Sequence, residues 1–472
     1  LGMTSEKLVE DFCRAVVGCK KREVFMHVSG SGGILVGSLI WSGDGLRSVE
    51  EVQVGDLLIG FDPAAFVRTT VTVERVHVQK VAPCVEVLVG GRLLLVHERQ
   101  PLLRFDMGGN WCQQAASTLQ PGDWLPVDRQ LPSTSDPIAL PDLDGKLTAL
   151  LGEDALALLD SKYEQEKYFA EMGKRSLRIR LFELSGYLCG AGEIMGHDLT
   201  LADDEPDVLA YYRDAFHQTF GETVEVAGTL QSKRHLLPIV RRLRRWMGDG
   251  LRPAKMRGLP TWLWQVESQS RSAFLRGFFD ACGTVSQTEV TLKSPSMRLI
   301  TGIQAQLGML GVESTIDLAK KRVAADTISS HYRLQIRNVR RFAEWVHSNV
   351  SHKAALLGMV YAKEPRYPSD GTAILPLNKV RPALERIRTT HALPRRSADT
   401  VDEREATRLS TLRLLSTAFD DEPLRALVNQ QLYLEPITSV RSAKPGTLFT
   451  LSCSAPAHIV CNGVVVRSGL VG

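Results

Sequence analysis

Residues able to do chemistry crowd into the middle of the chain. The run SKRHLLPIVRRLRRWMGDGLRPAKMRG (232–258) carries nine cations: Lys233, Arg234, Arg241, Arg242, Arg244, Arg245, Arg252, Lys255 and Arg257. Such a cluster can neutralise several backbone phosphates and would give salt-dependent, sequence-independent affinity for DNA. The plain alternative is a solvated helix face whose Arg stems cover apolar surface. On either side stand LFELSGYLCGAGEI (181–194) and AFLRGFFDACGTV (273–285), two apolar helical patterns with small residues four apart, each closed by a glycine. Acids lie close to both stops, Glu193 after the first and Asp280 before the second, and Cys282 and Lys293 follow within the next turn and strand. Carboxylates so placed could hold a divalent cation. The plain reading makes Glu193 an exposed loop acid, Asp280 a helix-end packing residue and Lys293 a solvated strand lysine.

The elements that must position these groups can be read in outline. At 472 residues with 44% apolar and 23% charged content, the chain has room for two or three ordinary globular domains. Net charge is only +4, so a nucleic-acid role has to come from a local patch. The eight cysteines never fall as CxxC and no His pair has finger spacing, which argues against structural zinc and for buried, reduced thiols in an intracellular protein. No run of about 18 apolar residues occurs, so no membrane span is expected.

Residues 5–20 read as a helix capped by Ser5, 23–28 as a buried strand and 29–33 as a glycine turn. From 33 to 130, β-branched runs alternate with turn signals, predicting an all-β unit of short strands. Residues 131–180 form a connector, Pro/Ser/Asp-rich and then helical. The stretch 181–365 is mixed α/β with a weak duplication, about 181–260 and 261–365, whose closing glycines Gly192 and Gly283 stand 91 positions apart. Residues 366–432 are charged and helical, and 433–468 return to β texture before the tail 469–472. Strands at both ends around a mixed middle imply a β domain split by an insertion.

These features together resemble an intein, a self-splicing Hint domain, carrying an inserted LAGLIDADG (DOD-type) homing endonuclease of the vacuolar-ATPase intein and mating-type-switching group. GILVGSLIWSGDGLRSVEEVQVGDLLIGFD (33–62) is similar to the amino-terminal splicing block and LLLVHERQPLL (93–103) to the block with the catalytic His. WCQQAASTLQPGDWLPV (111–127) resembles the strand after it, and 435–468 the carboxy-terminal blocks. The resemblance implies a multidomain fold: an all-β, horseshoe-like Hint domain split by an α+β LAGLIDADG domain with a pseudo-two-fold repeat. It also implies a monomer with an internal pseudo-dimer, and double-stranded DNA as partner.

The resemblance also says where this sequence departs. Splicing needs a nucleophile at its first position, a His, a terminal Asn and a nucleophile after it. The first position falls on Gly33, which has no side chain; Ser31 or Ser38 would need a shifted register. His97 stands at the His position, but the Thr expected three residues earlier is Leu94. The terminal His-Asn pair is Arg467-Ser468, followed by Gly469. In the endonuclease design, two helices packed through small residues (here Gly186, Gly190, Gly277 and Ala281) each end in a metal-binding carboxylate. The corresponding residues are Ala191 and Cys282, neither a ligand for hard Mg²⁺. Lys293 falls where the family often has a site lysine. Residues 23–33 look like the start of a phosphate loop without its Gly-Lys-Ser/Thr, so 1–32 reads as a host-protein remnant that binds no ATP.

The expectation is therefore an intein-derived element defective in splicing and cleavage that still binds duplex DNA, with no cofactor beyond Mg²⁺ should nuclease activity remain. Two alternatives stay open: an active homing endonuclease using Glu193 or Asp280, and a Hint-fold scaffold with no DNA role.

Overall fold

The computed structural model describes residues 32–43, 45–106, 110–129, 177–195, 198–201, 205–220, 229–230, 237–286, 288–324, 327–363, 373–390, 406–429 and 432–469. The helix, strand and phosphate-loop-like start expected over 1–31, most of the 131–180 connector, Ser31, Lys233 and Arg234 lie outside them.

The first and last parts of the chain share one sheet. The amino-terminal part gives β1 (Ile34–Leu35), β2 (Leu39–Ser42), β3 (Gly45–Ser48), β4 (Leu57–Asp62), β5 (Val67–Val89), β6 (Arg92–His97), β7 (Pro101–Phe105), β8 (Trp111–Ala115) and β9 (Trp124–Asp128). The carboxy-terminal part adds β19 (Leu432–Cys453), β20 (His458–Cys461) and β21 (Val464–Arg467). β1 lies between β19 and β6, β20 pairs with β2 and β4, and β21 pairs with β7 and β9, so neither part completes the sheet alone. The Asn462-Gly463 dipeptide turns β20 into β21 with both residues at positive φ (49° and 80°), the conformation a two-residue hairpin favours. The Asn462 side chain also accepts from Leu39 N (2.8 Å) and donates to Leu93 O (2.9 Å), tying the hairpin to β2 and β6.

Two long strands replace the short ones expected. TTVTVERVHV and CVEVLV fuse into β5 through Val81 at φ 50°, and the last β segments fuse into β19. The two pair along most of their length with register shifts near Gly446, which absorb Pro83 and Pro445 where the sequence suggested breaks.

The insert holds two similar halves. The first is α1 (Leu177–Ala191), β10 (Gly192–Met195), β11 (Asp198–Leu201), α2 (Pro206–Phe220), β12 (Thr229–Leu230) and α3 (Leu237–Met247). The second is α4 (Ser268–Cys282), β13 (Gly283–Val285), β14 (Val290–Ser294), α5 (Met297–Met309), β15 (Ser314–Ala324), β16 (Thr327–Ile336) and α6 (Val339–Trp345), followed by α7 (Ser351–Lys363). Each half has its own antiparallel sheet, β10-β11-β12 and β13-β14-β16-β15. After the insert come α8 (Leu377–Thr390), α9 (Leu409–Ala418) and α10 (Glu422–Asn429). Beside these helices, β17 (Ile374–Pro376) and β18 (Ala406–Arg408), which the largely helical reading did not name, extend the large sheet next to β19.

The β domain and the insert share a core. Every residue of β6, RLLLVH, is buried. Leu94 and Val96 face the β-domain interior, while Leu93 and Leu95 pack into the core of the insert. That is why the strand reads as a continuous apolar run rather than an alternation. One ion pair crosses the same boundary, Arg129 with Glu313 just before β15 (2.8 Å); within the β domain Arg129 also pairs with Glu435 of β19, and Arg68 holds Asp128 with two bonds of 2.6 Å.

Candidate functional site

The chemistry implied for the insert falls at the carboxyl ends of α1 and α4. These helices touch through glycines for a geometric reason. A Cβ on Gly186 would lie 1.8 Å from Phe274 O, and one on Gly277 would lie 1.8 Å from Glu183 O. No side chain fits either place, so the backbones meet reciprocally. One turn further, a Cβ on Gly190 would sit 2.7 Å from Ala281 Cβ and 2.9 Å from Cys282 Sγ. The seam thus delivers Ala191 and Cys282 as the last residues of the two helices, each half-buried.

Neither residue offers a hard oxygen donor. Among the described residues no group of three or more His, Cys, Asp or Glu could hold a metal ion. The residues present therefore do not fit the Mg²⁺ that the fold family would imply. Asp280, a weak candidate ligand from sequence, is fully buried and its carboxylate is engaged by protein donors. Its carboxylate accepts from Ser348 Oγ (2.5 Å), Tyr212 OH (2.7 Å) and Asn349 N (3.3 Å), and Lys353 Nζ donates to its carbonyl (2.7 Å). Burial raises its pKa, and these donors oppose the rise. Glu193 is exposed, on β10 rather than in a loop, opposite Thr200. Lys293 is the exposed position of β14, opposite Arg333 of β16.

The basic segment divides. On α3, Ile239, Val240, Leu243, Trp246 and Met247 are buried, while Arg241, Arg244 and Arg245 are exposed and Arg242 is half-buried. Trp246 anchors the helix by donating from Nε1 to Ser185 Oγ (2.9 Å) and stacking on Trp262. Arg252 and Lys255 are exposed, with Arg252 paired to Asp249 at 2.7 Å. Arg257 does not belong to this surface. It is 6% exposed and its guanidinium donates to Cys189 O (2.9 Å), Gly190 O (3.0 Å) and Gly192 O (2.8 Å), satisfying the orphan carbonyls at the end of α1. Its position in a cationic run concealed that role.

A second centre lies in the β domain, where the chain ends of the split domain meet. Gly33 O accepts from His97 N (2.8 Å), and Gly32 O accepts from Thr450 Oγ1. His97 is buried and burial lowers its pKa; its Nδ1 accepts from Arg99 N (3.0 Å). Gln100 Nε2 donates to Arg467 O (2.8 Å), and Gln100 Oε1 packs so closely on Gly32 that a Cβ there would lie 2.4 Å from it. Arg467 itself reaches Gln113 Oε1. Ser468 and Ser38 are both buried, and Leu94 fills the interior of β6. Sequence reasoning named Gly33, His97, Arg467 and Ser468 and the fold brings them together. Gln100, Gln113 and Thr450 were missed: 367 residues separate Gln100 from Arg467, and no local signal marks that pairing.

None of the described cysteines is in a disulfide; Cys84, Cys189, Cys453 and Cys461 are buried, and burial pushes Cys189 up to about 12. No helix among the described residues is long and apolar enough to cross a membrane.

Residues 269–346, which contain the second helix of the seam, match the family profile of the LAGLIDADG-like domain. Among solved structures, the chain is similar to a bacterial intein-like domain from Clostridium thermocellum (25% identity, TM-score 0.19), over 21% of this chain and 68% of that one. It is similar to the gp41-1 intein at 18% identity and TM-score 0.17, over 21% and 70% of the two chains. It is also similar to mesophilic variants of the homing endonuclease I-DmoI at 15% identity and TM-score 0.27, over 39% of this chain and 98% of that one. No curated protein matches the chain.

Proposed function

We propose that the chain is an intein-derived, LAGLIDADG homing-endonuclease-like protein that binds duplex DNA but neither cleaves it nor splices itself. One observation carries the reading: the α1–α4 seam keeps its glycine contacts while its two terminal residues are Ala191 and Cys282. A helix pair retained to sub-side-chain closeness, with no carboxylate at either end, supports a DNA-binding frame without metal chemistry. Loss of self-splicing follows from Gly33, which supplies no nucleophile, and a Cβ there would stand 2.9 Å from Leu448 Cβ. The exposed cations of α3 with Arg252 and Lys255 supply the phosphate contacts.

The test combines salt-titrated binding to long duplexes with a cleavage screen in Mg²⁺ or Mn²⁺. Replacing Arg241, Arg242, Arg244 and Arg245 by Ala should weaken binding and flatten the salt dependence by about one unit of slope per lost phosphate contact. Unchanged binding would turn the reading toward a scaffold without DNA. Four-base overhang products would turn it toward an active nuclease, with the exposed Glu193 as its first suspect. A spliced product in the intact mass would remove the splicing half of the reading.

A further inference from the structure

Between the two halves of the insert the chain crosses a short loop, Arg252 to Met256, in which every residue is exposed. Met256 is 62% exposed, and of the large apolar side chains left exposed in the described part of the insert it alone lies in the cationic segment. The loop is stiff. Pro253 precedes a single 3-10 turn, Ala254–Met256, in which Met256 N donates to Pro253 O (2.8 Å). The buried Arg257 then clamps it: Nε donates to Arg252 O (3.1 Å) at the start of the loop, while the rest of the guanidinium holds the carbonyls of Cys189, Gly190 and Gly192 at the end of α1. The Arg257 carbonyl accepts from Ser296 Oγ (2.6 Å), and Gly258 N donates to Asp249 O (3.1 Å). One side chain thus fixes the loop against the carboxyl end of α1, with the neighbouring Met256 left in solvent. Asp249, the one acid between Gly248 and Met256, is taken up by Arg252 (2.7 Å) and Arg298 (2.6 Å), which leaves Lys255 as the exposed charge next to Met256.

We infer that Met256 is a wedge for duplex DNA, a side chain that enters the minor groove and parts two stacked base pairs. The minor groove of B-DNA is about 6 Å wide, too narrow for a helix but open to a loop tip that presents one slender side chain. Methionine suits that task, because its unbranched chain and polarisable sulfur lie against the face of any base. Insertion also takes out of water an apolar surface that is now exposed to it. Lys255 and the exposed arginines of α3 hold the neighbouring phosphates. The Arg257 clamp keeps the loop from folding back, so the deformation falls on the DNA rather than on the protein. Apolar side chains carried among cations insert in this way in minor-groove proteins, and pyrimidine–purine steps part most readily. The inference rests on the duplex-DNA reading above and adds to it a local unstacking that phosphate contacts alone do not produce.

Permanganate, which oxidises unstacked thymines in preference to stacked ones, provides the probe. A long mixed-sequence duplex saturated with the full chain should show a several-fold rise in thymine reactivity at TA and CA/TG steps. Met256→Ala should lose that rise, and Met256→Leu, which keeps an apolar wedge, should retain it. Each protein is used at the saturating concentration given by its own binding titration, so a change in affinity does not enter the comparison. The inference is overturned if the parent binds the duplex and leaves its thymines unreactive, or if Met256→Ala reproduces the parent's pattern; in both cases the DNA reading stands. A parent that does not bind the duplex at all removes both.

Discussion

His458 shows how one buried side chain can report on the fold. It sits on β20 opposite Arg467 and is 4% exposed, with the backbone of Pro456 as the polar group nearest its ring. Burial first and the Arg467 charge second pull its pKa down to about 4, opposed by a hydrogen bond to the Pro456 backbone and, less, by Asp62. The unfolded chain binds that proton near pH 6.5, so between the two values the unfolded state holds more protons than the folded one. Stability from this residue is complete above about pH 6.5 and is lost as pH falls toward 4, by about 3 kcal/mol in all. Denaturant titrations across this range should show the slope in the parent and its absence in His458→Phe. An identical profile in the variant would assign the acid sensitivity elsewhere. At this scale the sequence was only partly legible. Gly33, Ala191 and Cys282 are recognisable by what they lack, since absence of a side chain or carboxylate needs no structure to judge. Arg257 was misplaced because charge alone does not say whether a guanidinium meets phosphate or the carbonyls of Cys189, Gly190 and Gly192, whereas Asp280 sits where its plain reading as a helix-end packing residue put it.

Among the elements, the α1–α4 seam was the most legible, because close helix packing demands small residues at fixed spacing and only glycine meets the demand here. Gly186→Ala should force the helices apart and cost about 3 kcal/mol, at the upper end for overpacking, since the added methyl would strike a carbonyl that cannot rotate away. Gly358 of α7 is the matched control. A Cβ there meets nothing within 4 Å, so Gly358→Ala should stabilise by about 0.5–1 kcal/mol. Urea midpoints of the two variants should move in opposite directions; the same direction for both would mean helix propensity outweighs the seam. The long strands were less legible. Pro83 and the Lys444-Pro445-Gly446 run look like turns in isolation, and only the pairing of β5 with β19 shows them to be register shifts within one ribbon.

For the whole molecule, the division into a split β domain and an insert was readable from texture, but the bond between the two was not. Leu93 and Leu95 belong to β6 in sequence and to the core of the insert in space. Arg129 likewise pairs with Glu313 across the boundary. Leu93→Ser with Leu95→Ser should therefore destabilise both units together, by about 4–10 kcal/mol at about 2–5 for each buried leucine truncated. Tryptophan fluorescence reads the insert through Trp246 and Trp262 and the β domain through Trp41 and Trp124; two separated transitions in the parent would mean the units melt independently. During synthesis the same sharing imposes a waiting period. β6 leaves the ribosome long before α5, whose Ile300 and Ile303 belong to the core that receives Leu93 and Leu95. Until then one apolar face of the strand has nothing to cover it, which makes the nascent chain a client for holding chaperones at that stage.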